Sequence, residues 1–244
     1  MKEKLDISVL DGKVKILQPE KGFKVCTDSI MLAAACPAKK GDRVLDAGCG
    51  VGTVGLCVNE RVGGVDLVGV DVQNLSVDMA KKNVVLNEIE AEIILSDIRD
   101  YKVDSKDRFD FIVCNPPYME SGMHKASPVE HKAISNGHIY GDIELLDWVK
   151  SSLSLLKSGG MLVMVHRADV VHRLIEYLNK SFGAIELISL WPKEGKEAKR
   201  VIVRAIKDRK TPIKIHYGLV LHDSDGTYTD QAEKILREGE GLYV

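Results

Sequence analysis

Arg43-Val44-Leu45-Asp46-Ala47-Gly48-Cys49-Gly50-Val51-Gly52 decides the architecture. Its first five residues are a short apolar run of strand length, and a helix pattern follows from about Thr53 to Arg61. Between them the glycines let the backbone turn sharply and let a ligand approach closely. Strand, glycine turn and helix form the opening unit of a parallel α/β sheet. Thr53 makes the spacing GxGxG rather than GxGxxG, which speaks against a dinucleotide. Asp46 sits just before the turn, where a carboxylate repels a pyrophosphate but accepts a cationic amino acid.

Further β/α units follow. Leu67 to Val70 reads as a second strand that ends in Asp71, placed to accept hydrogen bonds from both hydroxyls of a ribose. A helix is expected over 74–87, then a third strand, Glu92 to Leu95, leading into Ser96-Asp97-Ile98. Asp97 can accept from the exocyclic amine of an adenine with Ile98 packed on its ring; the plainer reading is an acid capping a loop. The fourth strand, Phe109 to Cys114, runs into Asn115-Pro116-Pro117-Tyr118. Prolines stop a strand, so this tetrapeptide stands at a carboxyl end, where open α/β sheets place ligands. Asn115 Oδ1 and the Pro116 carbonyl can accept the two N–H bonds of a planar amine, and Tyr118 can stack on its face.

A helix over 143–156, a fifth strand over 161–165, a helix over 169–180 and two strands at 184–190 and 200–206 complete the pattern. The alternation from 42 to 206 predicts seven strands, mostly parallel, with the last pair antiparallel. Upstream, residues 5–17 alternate around Asp11-Gly12, a two-residue hairpin signal. Thr27, Asp28 or Ser29 caps the following apolar helix, and Thr27 can face a ligand carboxylate from its start. The expected division is an N-terminal arm over 1–26 and one α/β domain over 27–244.

The 244 residues are 45% hydrophobic with net charge -2, which excludes a molecule that is basic all over. No stretch reaches the roughly 18 apolar residues of a membrane span, and the N-terminus has no signal-peptide core, so a cytoplasmic protein without a membrane partner is expected. Five cysteines without a CxxC pair support neither a zinc ribbon nor a disulfide framework, and no metal is expected. His124, His131 and His138, in the long polar stretch 119–141, are spaced by seven and do not form a helical ligand pair. Nine basic residues lie between Lys193 and Lys214, opposed only by Glu194, Glu197 and Asp208. They are either a solvated face or a contact for a phosphate backbone, with Lys193, Lys196, Lys199 and Arg200 as the candidates.

Taken in order, Asp46/Gly48/Gly50/Gly52, Asp71, Asp97 and Asn115-Pro116-Pro117-Tyr118 resemble the class I S-adenosylmethionine-dependent methyltransferases with an NPPY motif. The resemblance implies a Rossmann-like fold and S-adenosylmethionine as cofactor. It implies that Asp46 and the glycine turn lie beside the methionine part, with Thr27 nearby. Asp71 and Val72 would hold the ribose, Asp97 and Ile98 the adenine, and Asn115, Pro116 and Tyr118 the target nitrogen, with Asn115 also against the cofactor. More narrowly, Gly22-Phe23-Lys24, Thr27 to Leu32, the late strand at Arg200 and Asp225-Gly226-Thr227-Tyr228-Thr229 resemble the bacterial tRNA adenine N6-methyltransferases acting beside the anticodon of a valine tRNA. Where many of those relatives carry Arg-His-Glu, this chain has Asn136-Gly137-His138. Three other readings compete. A release-factor glutamine N5-methyltransferase shares the motif but carries a helical N-terminal domain, of which residues 1–26 hold no trace. A ribosomal-RNA N-methyltransferase keeps the chemistry and changes the RNA. A DNA adenine methyltransferase needs a recognition domain for which the chain leaves little room.

Overall fold

The computed structural model describes residues 4–19, 24–118 and 143–243. A hairpin of β1 (Lys4–Val9) and β2 (Val14–Pro19) precedes α1 (Thr27–Ala35). Then come β3 (Arg43–Ala47), α2 (Thr53–Val62), β4 (Asp66–Asp71), α3 (Asn74–Leu86), β5 (Ala91–Leu95) and β6 (Phe109–Cys114). After the undescribed segment follow α4 (Leu145–Leu155), β7 (Leu156–Arg167), α5 (Val171–Leu178), β8 (Phe182–Lys193), β9 (Arg200–Lys207), β10 (Lys214–His222) and the short α6 (Asp230–Glu233).

The sheet order is β10-β8-β9-β7-β6-β3-β4-β5. Only β9 runs antiparallel to its neighbours among these strands. This is a Rossmann-like α/β fold, with helices on both faces of the sheet. Alternate residues of each strand divide between the layers: Val44 and Val113 face the core under α1, α2 and α3, while Leu45 and Ile112 face the one under α4 and α5.

Two expectations change. The sheet has eight strands among the described residues, not seven, because β10 adds to the edge beside β8. Gly218 lies at a bulge of β10 between His216 and Leu219. Its φ is +87°, and a Cβ there would lie 2.0 Å from the Ser189 carbonyl oxygen, so only glycine lets β10 continue. The hairpin loop is also longer than two residues, since Val9 pairs with Val14. Leu10, Asp11 and Gly12 all take left-handed backbone, and Leu10 turns inward, 2% exposed.

The hairpin shares the main core through Leu10, Val14 and Ile16, so no separate core marks a boundary near residue 26. Its free edge is covered by two asparagines one turn apart on α3. Asn83 Oδ1 accepts from Leu17 N at 2.7 Å while its Nδ2 donates to Leu17 O at 3.0 Å. Asn87 repeats the pattern with Lys15 N and O, at 2.8 and 2.7 Å. The two carboxamides thus stand in for a partner strand. Asn83 Nδ2 also donates to Val51 O of the glycine turn at 2.9 Å, joining hairpin, helix and turn at one fully buried amide. Asn83→Ala leaves Leu17 and Val51 groups unpaired in the interior, at an expected cost of about 2–4 kcal/mol. Urea denaturation measures it; an unchanged midpoint would mean that water replaces the amide.

Candidate active site

The sheet's switch point lies between β3 and β6, where the chain leaves β5 and returns on the other side of β3. The parallel strands β3, β4, β5 and β6 all end at this edge, so the glycine turn, Asp71, Ser96-Asp97 and Asn115 are neighbours. Sequence-distant residues meet because each ends a strand of the same sheet.

Around the turn, Gly48 N and Cys49 N both donate to Val70 O, at 2.8 and 3.0 Å. Gly50 N donates to Asp71 Oδ2 at 2.9 Å, and Gln73 N donates to Asp71 Oδ1 at 2.8 Å. Asp71 is 2% exposed, and these two backbone donors fix its carboxylate at the end of β4. A cleft of about 310 Å³ opens beside it, lined by Gly48, Asp71, Val72, Asp97, Ile98 and Trp148 among others. Gly48 has φ +71°, and a Cβ there would come within 2.8 Å of the Trp148 ring, which the sequence did not single out. The missing side chain keeps the cleft wall and its tryptophan in place.

Asp46 is not on that wall. Its strand position turns it to the opposite face, beneath α2, where it accepts from Gly55 N at 2.9 Å and is 2% exposed. Burial pushes its carboxyl up to about 7, against the Gly55 bond that lowers it and with the Asp71 charge that raises it further. An acid raised in the folded state binds its proton more tightly there than in the unfolded chain. Stability therefore falls as pH rises from the unfolded value of about 4 to the folded value, and levels off above it. Asp46→Asn keeps a carbonyl acceptor for Gly55 and removes the charge. The variant should match the wild type near pH 3 and exceed it near pH 8, by up to about 4 kcal/mol. Urea midpoints at the two pH values check the sign.

Asp97 is held by Arg99, another residue the sequence left unnoticed. Arg99 Nη2 donates to Oδ2 at 2.7 Å, and Arg99 Nε and backbone N donate to Oδ1 at 3.0 and 2.8 Å. The Arg99 bonds hold the Asp97 carboxyl below its ordinary range. Ile98 is buried next to it, 4% exposed, and reaches the cleft.

At the end of β6, Pro116 is buried and Asn115 and Tyr118 are half-buried. The Tyr118 hydroxyl lies 2.8 Å from Asp28 Oδ2 and 3.0 Å from Asn115 Oδ1 and can donate to either. Asp28 stands in the first turn of α1, beside Thr27. The helix is capped neither by Thr27 nor by Ser29: Cys26 occupies the N-cap without a side-chain bond. The helix start instead delivers Asp28 to Tyr118. Arg200 at the head of β9 donates from Nε to the same Asp28 oxygen at 2.8 Å, and its guanidinium carbon lies 4.5 Å over the Tyr118 ring. The buried His166 ring meets Tyr118 at 5.2 Å and 73°. Burial raises the Tyr118 phenol well above the usual tyrosine range, and the Asp28 charge and hydrogen bond raise it further.

The basic run divides. Lys196 and Lys199 are exposed, and Lys193 donates to Ser224 O at 3.0 Å. Arg204 turns inward to Ala35 O and Leu242 O, at 2.8 and 2.9 Å, and Lys207 caps α4 through Leu153 O and Leu156 O. These are structural bonds rather than an open basic face. Burial raises the thiols of Cys36 and Cys57 to about 11 and 12, so both stay protonated. Among the described residues no cluster of three His, Cys, Asp or Glu could hold a metal ion. His124, His131, His138 and Asn136-Gly137-His138 lie outside the described residues.

Residues 23–193 match the model of the family described as Methyltransferase small domain. The chain is 26% identical over 228 residues to a tRNA1(Val) (adenine(37)-N6)-methyltransferase of Haemophilus influenzae, covering 91% of this chain and 94% of that protein. Its fold superposes with a TM-score of 0.71 on a protein of Agrobacterium tumefaciens described as a predicted O-methyltransferase, at 20% identity over 88% of this chain and 98% of the other. A T. thermophilus 16S rRNA N2 methyltransferase, in complex with AdoMet and guanosine, gives 0.58 at 24% identity, covering 84% and 50%.

Proposed function

Because the chain belongs to the methyltransferase small-domain family and is an enzyme that uses S-adenosylmethionine as cofactor, we propose that it methylates N6 of an adenine in RNA, the adenine beside the anticodon of a valine tRNA. The observation that carries this reading is the Asn115 amide and Tyr118 ring at the end of β6, one strand from the glycine turn. Likeness to the H. influenzae enzyme over nearly the full length of both proteins supports the choice of tRNA. Among the described residues no helix is long and apolar enough to cross a membrane.

The cleft residues fit the cofactor. Asp71 lines the cleft as the carboxylate for ribose hydroxyls, Val72 and Ile98 offer apolar walls, Asp97 lines the side proposed for the adenine amine, and Gly48 keeps the floor open beneath Trp148. On this reading Thr27, Gly50 and Gly52 serve the methionine part of the cofactor, and Asp46 acts from below by fixing α2 against β3. When bound, S-adenosylmethionine supplies an electrophilic methyl group on a sulfonium. An adenine amine is a poor nucleophile because its lone pair is delocalised into the ring. Asn115 Oδ1 and the Pro116 carbonyl, accepting its two N–H bonds, favour the pyramidal nitrogen that attack requires. Catalysis here is positioning and fixed dipoles, without a strong general base. A target base in folded RNA must be unstacked, at roughly a few kcal/mol. Lys196 and Lys199, with Lys193 behind them, are placed to offset that through phosphate contacts.

The test is transfer of labelled methyl to tRNA lacking its own methylation, to ribosomal RNA and to a peptide release factor, in parallel. Label recovered as N6-methyladenosine from valine tRNA is the expected result. Label confined to ribosomal RNA overturns the choice of tRNA, and label confined to the release factor overturns an RNA substrate altogether.

A further inference from the structure

We propose that Asp28 and Arg200 are positioning residues that lock Tyr118 and turn the Asn115 amide toward the target nitrogen, and that Arg200 is therefore not a phosphate ligand. The proposal deepens the reading above and rests on it only for the identity of the target.

The argument begins with proton counting. A phenol has one proton, yet the Tyr118 oxygen has two oxygen neighbours, Asp28 Oδ2 at 2.8 Å and Asn115 Oδ1 at 3.0 Å. A carboxylate is the stronger acceptor, and here it is also the nearer, so the proton goes to Asp28. The phenol oxygen then presents lone pairs toward Asn115, where an amide oxygen is repelled and an amide NH₂ is welcome. The carboxamide turns Nδ2 toward Tyr118. Its oxygen faces away from the ring, free to accept from a substrate amine. Asp28 thus sets the direction of the group that holds the target without touching the target itself.

Arg200 completes the lock. Its Nε donates to the same Asp28 oxygen at 2.8 Å, and its guanidinium covers one face of the Tyr118 ring at 4.5 Å. The hydroxyl is tied, one face is covered and His166 meets the ring at a T, so the ring has no room to pivot. The side chains of Arg200 and Asp28 are 32% and 17% exposed, so the pair is shielded enough to hold and close enough to the surface to be misread as part of the basic run. Among the described residues, Asp28, Arg200, Cys26 and His166 are the titratable groups around the phenol.

The two roles of Arg200 predict opposite results. If it locks Tyr118, Asp28→Asn and Arg200→Gln each lower kcat by about 10- to 100-fold through misplacement of the reacting group, while the RNA KM and the calorimetric cofactor Kd stay at wild-type values. Arg200→Lys keeps the charge but loses the planar fork and recovers only part of the rate. If Arg200 binds phosphate, Arg200→Gln raises KM and flattens its salt dependence with kcat kept, and Asp28→Asn tightens RNA binding by releasing the arginine. That second pattern overturns the proposal. A readout needing no RNA keeps it independent of the substrate. In ultraviolet titration of the phenols, Asp28→Asn should bring one further tyrosine down toward the ordinary value of about 10, and Asp28→Asn with Tyr118→Phe should abolish it. A phenol titration unchanged by Asp28→Asn overturns the role of Asp28.

Discussion

Asn115→Ala lowers kcat for methyl transfer by about 10²- to 10³-fold, the range found when one fixed dipole aimed at a reacting centre is removed. Cofactor affinity measured by calorimetry should stay unchanged, because the residues proposed to hold the cofactor, Asp71 and Asp97, follow β4 and β5 on the other side of β3 from Asn115. The fold should survive as well, since Asn115 is half-buried and its hydroxyl neighbour Tyr118 is still held by Asp28. Loss of rate with affinity kept identifies an interaction made in the transition state rather than with either ground-state ligand. Retention of full activity would remove Asn115 from the mechanism and leave the tetrapeptide as a strand-ending turn.

Asp71→Ala is expected to weaken cofactor binding by about 10²-fold, the size of a lost pair of hydrogen bonds to a buried carboxylate. The same substitution strips Gly50 N and Gln73 N of their acceptor, so the melting temperature should fall too. Calorimetry and thermal denaturation separate the two effects. At saturating S-adenosylmethionine the variant should recover most of its kcat, because Asp71 lies remote from the amine held at β6. A fall in melting temperature with unchanged affinity would make Asp71 a brace for the turn and nothing more.

These variants, and the others described above, divide according to what the sequence makes visible. The glycine turn, Asp71 and the tetrapeptide at Asn115 are local signals: each is a strand end followed by residues that dictate backbone conformation, so period and punctuation suffice to find them. Parallel connectivity then brings the strand ends together, and the cleft follows from topology. Arg99 was missed because an arginine two residues from an acid looks like loop polarity until its fork is seen closed on Asp97. Trp148 was missed because a tryptophan in an amphipathic helix looks like core, and only its ring against Gly48 marks it as cleft wall.

The sequence by itself determined the Rossmann-like fold, the side of the sheet that carries the site, and the strand ends that form it. These depend on hydrophobic period and on backbone restrictions that each short segment carries within itself. Tertiary structure alone decided which charges face the cleft and which are scaffold. Asp46 turned to the face beneath α2, Arg204 and Lys207 turned inward as caps, and Asp28 and Arg200, 172 positions apart, met on one tyrosine. The physical reason is that a side chain's chemistry is set by its partners and its burial, and neither exists until the strands are stacked and the helices laid against them.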